Sequence, residues 1–184
     1  MNYSCILATD NNGGIGKKGK IPWQCSIDFK FFSINTKLTK KDKFNVVIMG
    51  YKTFQSLPCE LLPGRLNIVL SRKIPSTIGF LNKQCEYEAT KQVWYCDDLN
   101  FLLINLKSTI WIDKVFIIGG ASLYNLAFEN PRCKSVYLTQ IKGDYNCDVK
   151  VNLELLKSNF NKIVHTPFTF EKDIKYSFQY WIRN

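Results

Sequence analysis

Two short segments of the chain, residues 45–49 and 114–118, are apolar at almost every position. Strands exposed on one face alternate apolar and polar residues, whereas strands covered on both faces are apolar nearly throughout. In the first half of the chain such runs alternate with helical patterns, which favours right-handed β-α-β crossovers. The sequence therefore predicts an α/β fold built on a largely parallel sheet.

The remaining strands are predicted from short β-branched and aromatic runs bounded by Gly, Pro, Asn and Asp. The predicted strands span residues 3–9, 45–49, 67–71, 93–95, 114–118, 135–141, 162–166 and 175–181, and the predicted helices 26–36, 51–56, 99–106 and 122–128. Ser26 is expected to cap the first helix. The last third is rich in strands with short links, which indicates an antiparallel edge. No repeat or linker interrupts the chain, so we expect one domain over residues 1–184.

The formal net charge of +10 favours anionic partners, which include nucleic acid, membrane surfaces and polyanionic small molecules. Most of the positive charge comes from dispersed lysines, whereas base and phosphate recognition favours arginine. No apolar run approaches the ~20 residues that span a bilayer. A small polyanionic ligand is therefore favoured over nucleic acid, and no membrane partner is expected.

The seven cysteines are odd in number and form no C-x-x-C pair. This pattern argues against a disulfide framework and against a structural metal site. The first residues do not resemble a signal peptide. We therefore expect a cytoplasmic protein that binds no metal.

A glycine-rich segment follows the first predicted strand. Residues 14–19 match G-x-G-x-x-G, but Pro22 opposes the helix that a dinucleotide-binding turn requires. The segment is instead predicted to be a flexible loop that acts as a lid and ends near Trp23.

Two other predicted strands run into glycine and then into a helix, at Gly50 and at Gly119-Gly120. Glycine allows close approach of a ligand, and a helix start offers free N–H groups to an anion. Spacing alone leaves a phosphate site and an ordinary tight turn equally open at Gly119-Gly120. Together with Ser71 and Arg72 at a third strand end, these turns indicate a phosphorylated dinucleotide.

Asp28 is the acidic residue that the pattern singles out, because Phe31 and Phe32 share its helix face. On patterning alone, an acid stabilised by the helix dipole is favoured. The alternative is a carboxylate in an apolar cleft, with a raised pKa, that binds a cationic heterocycle.

The order of these motifs resembles the dihydrofolate reductase family over residues 3–182. The matching segments are Ile6-Leu7-Ala8, Gly14-Ile15-Gly16-Lys17, Ile21-Pro22-Trp23, Asp28-Phe29-Lys30-Phe31-Phe32, Val47-Ile48-Met49-Gly50, Lys52-Thr53, Leu62-Pro63-Gly64-Arg65, Asn67-Ile68-Val69-Leu70-Ser71-Arg72, Ile118-Gly119-Gly120-Ala121-Ser122-Leu123-Tyr124 and Ile174-Lys175-Tyr176-Ser177-Phe178. The resemblance implies a twisted eight-stranded sheet, mostly parallel with an antiparallel C-terminal strand, flanked by four helices. It also implies a cis peptide between the two glycines.

The activity implied by the resemblance is reduction of 7,8-dihydrofolate to 5,6,7,8-tetrahydrofolate. NADPH would pass a hydride to C6 while N5 takes a proton. Antifolate inhibitors would bind the same cleft, and a monomer is expected.

The resemblance also assigns site residues. The catalytic residues would be Asp28, Trp23 and Thr139. The substrate-binding residues would be Ile6, Asp28, Phe29, Phe32, Leu57, Leu62, Arg65 and Ile118, with Arg65 on the glutamate α-carboxylate. The cofactor-binding residues would be Ala8, Ile15, Gly16, Lys52, Thr53, Ser71, Arg72, Gly119, Gly120, Ala121, Ser122, Leu123 and Tyr124. Asp148 would latch the glycine loop.

Three positions depart from the family pattern. Tyr51 stands where a cation often contacts the cofactor's phosphates, the region around Asp97-Asp98 lacks an expected basic residue, and Val151-Asn152 replaces an aromatic-Pro pair. Two alternative functions are a same-fold reductase of a phosphoribosylamino-pyrimidine and a basic nucleic-acid-binding protein. Asp28 and Arg65 favour the folate.

Overall fold

The computed structural model describes residues 1–78 and 86–184 of the chain. The strands are β1 (Tyr3–Thr9), β2 (Gly14–Gly16), β3 (Phe44–Gly50), β4 (Arg65–Leu70), β5 (Val93–Cys96), β6 (Ile112–Ile117), β7 (Cys133–Ile141), β8 (Val149–Lys150), β9 (Phe160–His165), β10 (Thr169–Glu171) and β11 (Ile174–Arg183). The helices are α1 (Ser26–Lys37), α2 (Tyr51–Gln55), α3 (Glu86–Ala89), α4 (Leu99–Lys107), α5 (Ala121–Glu129) and α6 (Leu153–Asn159).

One large sheet organises the described part of the chain. Its strand order is β10-β11-β7-β1-β6-β3-β4-β5, and β9 pairs with β11 off this path. The six strands from β7 to β5 form five parallel pairs, whereas β11 runs antiparallel to β7. The predicted α/β class, with a mostly parallel sheet and an antiparallel C-terminal strand, is confirmed.

The parallel strands are covered on both faces, as their continuous apolar sequences predict. In β3, Val46 and Ile48 enter the main core, while Val47 and Met49 enter a second cluster on the opposite face. The helices α4 and α5 cover the first face, and the second is covered by aromatic residues of α1 and α2. The successive side chains of a strand point to opposite faces, so both faces become interior.

The four predicted helices correspond to α1, α2, α4 and α5. The structure adds α3 and α6, the β10 strand, and a small separate pair formed by β2 and β8. β9 and β10 pair with different parts of the same edge of β11, because β10 faces residues 174–176 and β9 faces residues 179–183. Within the described residues, no helix is both long and apolar enough to cross a membrane.

Candidate active site

The candidate site lies where the parallel strands β1, β3, β4 and β6 end. Asp10, Ser71 and Ile118 directly follow β1, β4 and β6, and Gly50 is the last residue of β3. Open α/β sheets bind ligands outside the carboxyl ends of their strands. The topology therefore gathers at one edge of the sheet the strand ends that the sequence singled out.

Asp28 stands in the first turn of α1 and is half-buried. Burial raises the pKa of its carboxyl, the hydroxyl of Thr139 on β7 opposes this by donating a hydrogen bond, and the charge of Glu171 raises the pKa further. Thr139 is 1% exposed. The hydroxyl predicted to stand behind Asp28 is thus in contact with it.

An apolar wall surrounds the Asp28 side of the cleft. Ile6 and Phe116 form its buried floor, and the partly buried residues packed on it include Phe31, Phe32, Phe54, Leu57, Leu62 and Ile118. Phe31 also stacks on Phe178 of β11 with ring centroids 4.1 Å apart. Phe29, one of the predicted wall residues, is 52% exposed and lies outside this cluster, so its ligand contact stays a prediction.

Arg65 stands at the start of β4 and is only 3% exposed. One guanidinium nitrogen donates to Thr36 Oγ1 at 2.8 Å, Nε donates to the Pro63 carbonyl at 3.3 Å, and the guanidinium lies 5.8 Å from the Phe32 ring centroid. Burial lowers its pKa to about 10. Within residues 1–78 and 86–184, no carboxylate forms an ion pair with this buried cation. An anionic ligand would supply the missing charge.

The carbonyl of Ile6, in the middle of β1, accepts a hydrogen bond of 2.8 Å from the Tyr124 hydroxyl of α5. A carbonyl oxygen has two lone pairs, so one acceptor position remains for a ligand. On the neighbouring strands, the N–H of Ile118 is taken by the Ile48 carbonyl at 2.9 Å.

The bond between Gly119 and Gly120 is cis, as the resemblance implied. Gly119 has φ +128°, and a Cβ on Gly120 would lie 3.2 Å from Thr53 Oγ1. Gly50 donates to the Gly119 carbonyl at 2.8 Å, which brings the starts of α2 and α5 together. The first turn of α5 has no side-chain cap. Its N–H groups at Ala121 and Ser122 can therefore serve an anion.

The remaining predicted cofactor residues surround this turn. Leu123 and Tyr124 are buried on α5, Ser71 is half-buried, and Lys52 and Arg72 are exposed at the rim. Exposed cations at a cleft edge are suited to phosphate. Tyr51 is 37% exposed beside them.

The glycine loop is fastened at both ends. The fully buried carboxylate of Asp10 accepts hydrogen bonds from the N–H groups of Gly14 at 2.7 Å, Asn12 at 2.9 Å and Tyr145 at 3.2 Å. Burial alone would raise the pKa of Asp10, but these donors outweigh it and the pKa is lowered. Asp148 Oδ2 accepts from the N–H of Lys18 at 2.8 Å. The latch contact expected for Asp148 is thus present.

The other predicted site residues in and around the glycine loop contact different parts of the fold. Gly16 pairs with Val149, Ile15 packs on the main core, and Ala8 packs on a third cluster that contains Trp23. Trp23 is 3% exposed and lies edge-on to Tyr145, with ring centroids 5.2 Å apart. It lies between the loop and the start of α1, and its role in a lid stays a prediction.

Two acids that the sequence did not single out hold the site together. Asp10 was unremarkable because it follows a strand, where acids are common, although an acid before two glycines is a detectable signal. Glu171 accepts from the N–H groups of Ser26 and Ile27, each at 3.0 Å, and also from the Ser26 hydroxyl. The expectation that Ser26 caps α1 is wrong, because Cys25 is the N-cap and the Ser26 hydroxyl donates to Glu171.

The position of the cleft places the chain among the α/β proteins that bind small molecules at the carboxyl edge of an open sheet. The family model described as Dihydrofolate reductase matches residues 2–183. The chain therefore belongs to the dihydrofolate reductase family.

Curated relatives agree with this membership. The chain is 33% identical to the bifunctional dihydrofolate reductase-thymidylate synthase of Glycine max over 193 residues, which cover 98% of the chain and 33% of that protein. It is 34% identical to the dihydrofolate reductase of Drosophila melanogaster over 151 residues, which cover 80% of the chain and 78% of that protein. The chain thus spans about a third of the length of the bifunctional relative.

Proposed function

We propose that this protein reduces 7,8-dihydrofolate to 5,6,7,8-tetrahydrofolate with NADPH. The observation that carries the proposal is that one apolar cleft holds both the half-buried Asp28 carboxyl and the buried Arg65 guanidinium, which has no carboxylate ion-pair partner among the residues that the structure describes. Dihydrofolate has the matching groups, a flat heterocycle with an amidine at one end and a glutamate carboxylate at the other. Family membership supports the same activity.

Asp28 would bind the heterocycle. Its carboxylate can accept hydrogen bonds from the exocyclic amino group and from N3, which is a two-point interaction that fixes the ring's orientation. The free lone pair of the Ile6 carbonyl and the carbonyl of Ile118 would receive further N–H groups. The aromatic and aliphatic walls, above all Phe32, Leu57 and Leu62, exclude water from the ring.

Arg65 would bind the α-carboxylate of the glutamate. A planar guanidinium forms two parallel hydrogen bonds with a carboxylate, which a lysine cannot do. Its contacts with Thr36 and Phe32 already fix the guanidinium before the substrate arrives. This feature favours a folate over a phosphoribosylamino-pyrimidine, which has no glutamate.

The residues around Gly119-Gly120 fit a dinucleotide. Because Gly120 has no side chain, the space beside Thr53 that a Cβ would fill stays open, and the uncapped start of α5 offers N–H groups to a pyrophosphate. Ala8, Ile15, Gly16 and Tyr124 would hold the nicotinamide end, and Lys52, Thr53, Ser71 and Arg72 the adenosine phosphates. When bound, NADPH supplies the hydride. Arg72 and Lys52 support NADPH over NADH, because both can neutralise a 2′-phosphate.

We further propose that the chain acts as a monomeric, single-domain enzyme in the cytoplasm. The Drosophila relative, whose length this chain largely covers, is named a dihydrofolate reductase alone. The six cysteines in the described ranges are free thiols, which a reducing compartment maintains.

The test is the loss of NADPH absorbance by purified protein with dihydrofolate, with and without an antifolate, and the same assay with NADH. Antifolate-sensitive oxidation of NADPH is the expected result. Activity with NADH alone would overturn the cofactor assignment, and no oxidation by folded protein would overturn the reaction. An Arg72→Gln variant should lose NADPH affinity more than NADH affinity.

A further inference from the structure

The start of α1 is capped by a side chain from a distant strand. Glu171, the last residue of β10, accepts the N–H of Ser26 through Oε1 and the N–H of Ile27 through Oε2, each at 3.0 Å, and it also accepts the Ser26 hydroxyl. The N-cap residue of α1, Cys25, makes no side-chain cap of its own. A distant carboxylate therefore satisfies donors that a helix start leaves open.

Glu171 is itself held by the sheet. It pairs with Ile174 across the turn from β10 to β11, and Phe178 of β11 pairs with Thr139 of β7. Thr139 is the residue whose hydroxyl contacts the Asp28 carboxyl. The carboxylate that fixes the backbone of α1 and the hydroxyl that contacts Asp28 thus belong to one hydrogen-bonded set of strands.

Asp28 is the residue directly after Ile27, so its position follows the two N–H groups that Glu171 binds. A rotation or shift at this point of α1 would carry the Asp28 carboxyl away from Thr139. Precise placement matters, because a displacement of about 1 Å at a reacting group can cost roughly 100-fold in rate.

Three other titratable groups around Asp28 and Glu171 are neutral at neutral pH. Burial raises the pKa of the Cys25 thiol to about 11, and burial also raises the pKa values of Tyr124 on α5 and Tyr176 on β11. Hydrogen bonds from the N–H of Ile27 and the hydroxyl of Ser26, with a smaller contribution from the Ser26 N–H, lower the pKa of Glu171 to about 2. Glu171 is therefore the charged member of this group at the pH of the assay.

We propose that Glu171 is a positioning residue for Asp28: by binding the first turn of α1 it fixes the place and the electrostatic surroundings of that carboxyl. The role rests on the proposed function, in which Asp28 binds the heterocycle. Glu171 touches neither substrate nor cofactor and acts through the helix.

Three variants test the proposal, and two of them each remove one negative charge. Glu171→Gln keeps the size of the side chain, removes its charge and leaves one acceptor oxygen. Glu154→Gln is the matched control, because Glu154 is an exposed acid on α6 whose ion pair with Lys157 joins neighbouring turns. Glu171→Asp restores the charge with a shorter reach and serves as the conservative variant.

The first measurement is the titration of the Asp28 carboxyl by NMR of protein labelled with 13C at the aspartate carboxyl groups, with Asp28→Asn to assign the signal. Loss of the Glu171 charge should lower the Asp28 midpoint by about half a pH unit, because a like charge nearby disfavours ionisation. Glu154→Gln should leave the Asp28 midpoint unchanged. Glu171→Asp, which keeps the negative charge, should have a midpoint close to that of wild type. This readout needs no catalytic activity, so it remains decisive if the proposed reaction fails.

The second measurement is steady-state kinetics alongside the melting temperature. Glu171→Gln should lower kcat/KM for dihydrofolate about tenfold, with the KM for NADPH within about twofold of wild type. A lowered melting temperature with an unchanged Asp28 midpoint would overturn the proposal and leave Glu171 a helix cap only. An unchanged midpoint and unchanged kcat/KM would overturn it as well. If Glu171→Gln fails to fold, Ser26→Ala removes the hydroxyl that donates to Glu171 and should lower kcat/KM for dihydrofolate in the same direction. An unchanged kcat/KM of that variant would then overturn the proposal.

Discussion

The hydroxyl oxygen of Tyr124 lies 2.8 Å from the carbonyl oxygen of Ile6, which joins the glycine-turn helix α5 to the central strand β1. Tyr124 is 4% exposed and Ile6 is 3% exposed. The bond therefore connects the proposed cofactor side of the cleft to its proposed substrate side through buried groups.

Tyr124→Phe should lower the free energy of unfolding by about 1 kcal/mol, because it removes the donor and leaves the Ile6 carbonyl short of one partner. Urea denaturation at neutral pH measures this change. Tyr51→Phe, at an exposed position on α2, is the control and should change stability by less than about 0.5 kcal/mol. Equal effects of the two substitutions would contradict the assigned role of the Tyr124 hydroxyl.

Asp28→Asn should reduce turnover at neutral pH roughly 100-fold while leaving NADPH affinity nearly unchanged. The same substitution should raise the melting temperature at pH 7.5. Burial raises the pKa of Asp28 above its ordinary 3.8, so the folded state disfavours the charged form. The neutral Asp28 carboxyl therefore contributes to the stability of the wild-type fold below pH 3.8, and this contribution is lost as the pH rises through the raised pKa.

Melting temperatures measured at a series of pH values separate the effect of the Asp28 charge from a general effect of the substitution on stability. The gap in melting temperature between Asp28→Asn and wild type should close as the pH falls towards 3.8, since both side chains are then neutral. Asp97→Asn, an exposed acid after β5, should show no such gap. A variant that is less stable than wild type at pH 7.5 would contradict the sign derived from burial.

Arg65→Lys should raise the Kd for dihydrofolate about tenfold and change kcat by less than about threefold, because it replaces a two-point contact with a single charge. Fluorescence titration and single-turnover kinetics measure the two quantities. Arg132→Lys is the control, because Arg132 contacts the first residue of β1, at the end of that strand away from the candidate site. An unchanged folate Kd would rule out the glutamate carboxylate as the partner of Arg65.

Asp10→Asn should cost about 2 kcal/mol of unfolding free energy, because a charged acceptor of three N–H groups becomes a neutral one with a single oxygen. The lowered pKa of Asp10 stabilises the fold above pH 3.8, and this contribution is lost as the pH falls below that value. Hydrogen exchange at the amides of Gly14 and Tyr145 should accelerate together. Asp144→Asn, at an exposed position in the neighbouring loop, should leave both protected.

The strands of the parallel sheet and the Asp28 face of α1 were predictable from local pattern. The helical period placed Phe31 and Phe32 beside Asp28, and both pack on the cleft floor. The resemblance assigned Phe29 to the ligand-contacting wall, and this assignment stays a prediction, because its side chain is exposed in the structure. The periodicity of apolar and polar residues predicts well which residues of a single helix or strand are buried, because it depends only on neighbours three or four residues away.

The contacts that bind distant segments were not predictable in the same way. Ser26 has the chemistry of an N-cap, but the donors at the start of α1 are bound by Glu171, 145 residues further along the chain. The short strands β8 and β10 carry too few residues for a period to emerge. Their existence depends on the partners β2 and β11, which only the folded chain supplies.

The placement of Asp28 has a consequence for synthesis on the ribosome. The helix that carries this acid emerges early, whereas Thr139 and Glu171, which contact it and its helix, emerge more than 100 residues later. A nascent chain can form α1 and its local turns, but it lacks the strands that orient the acid until β7, β10 and β11 have left the exit tunnel. The carboxyl should therefore acquire its cleft only after these strands have emerged, so shorter nascent chains carry the acid without the strands that orient it.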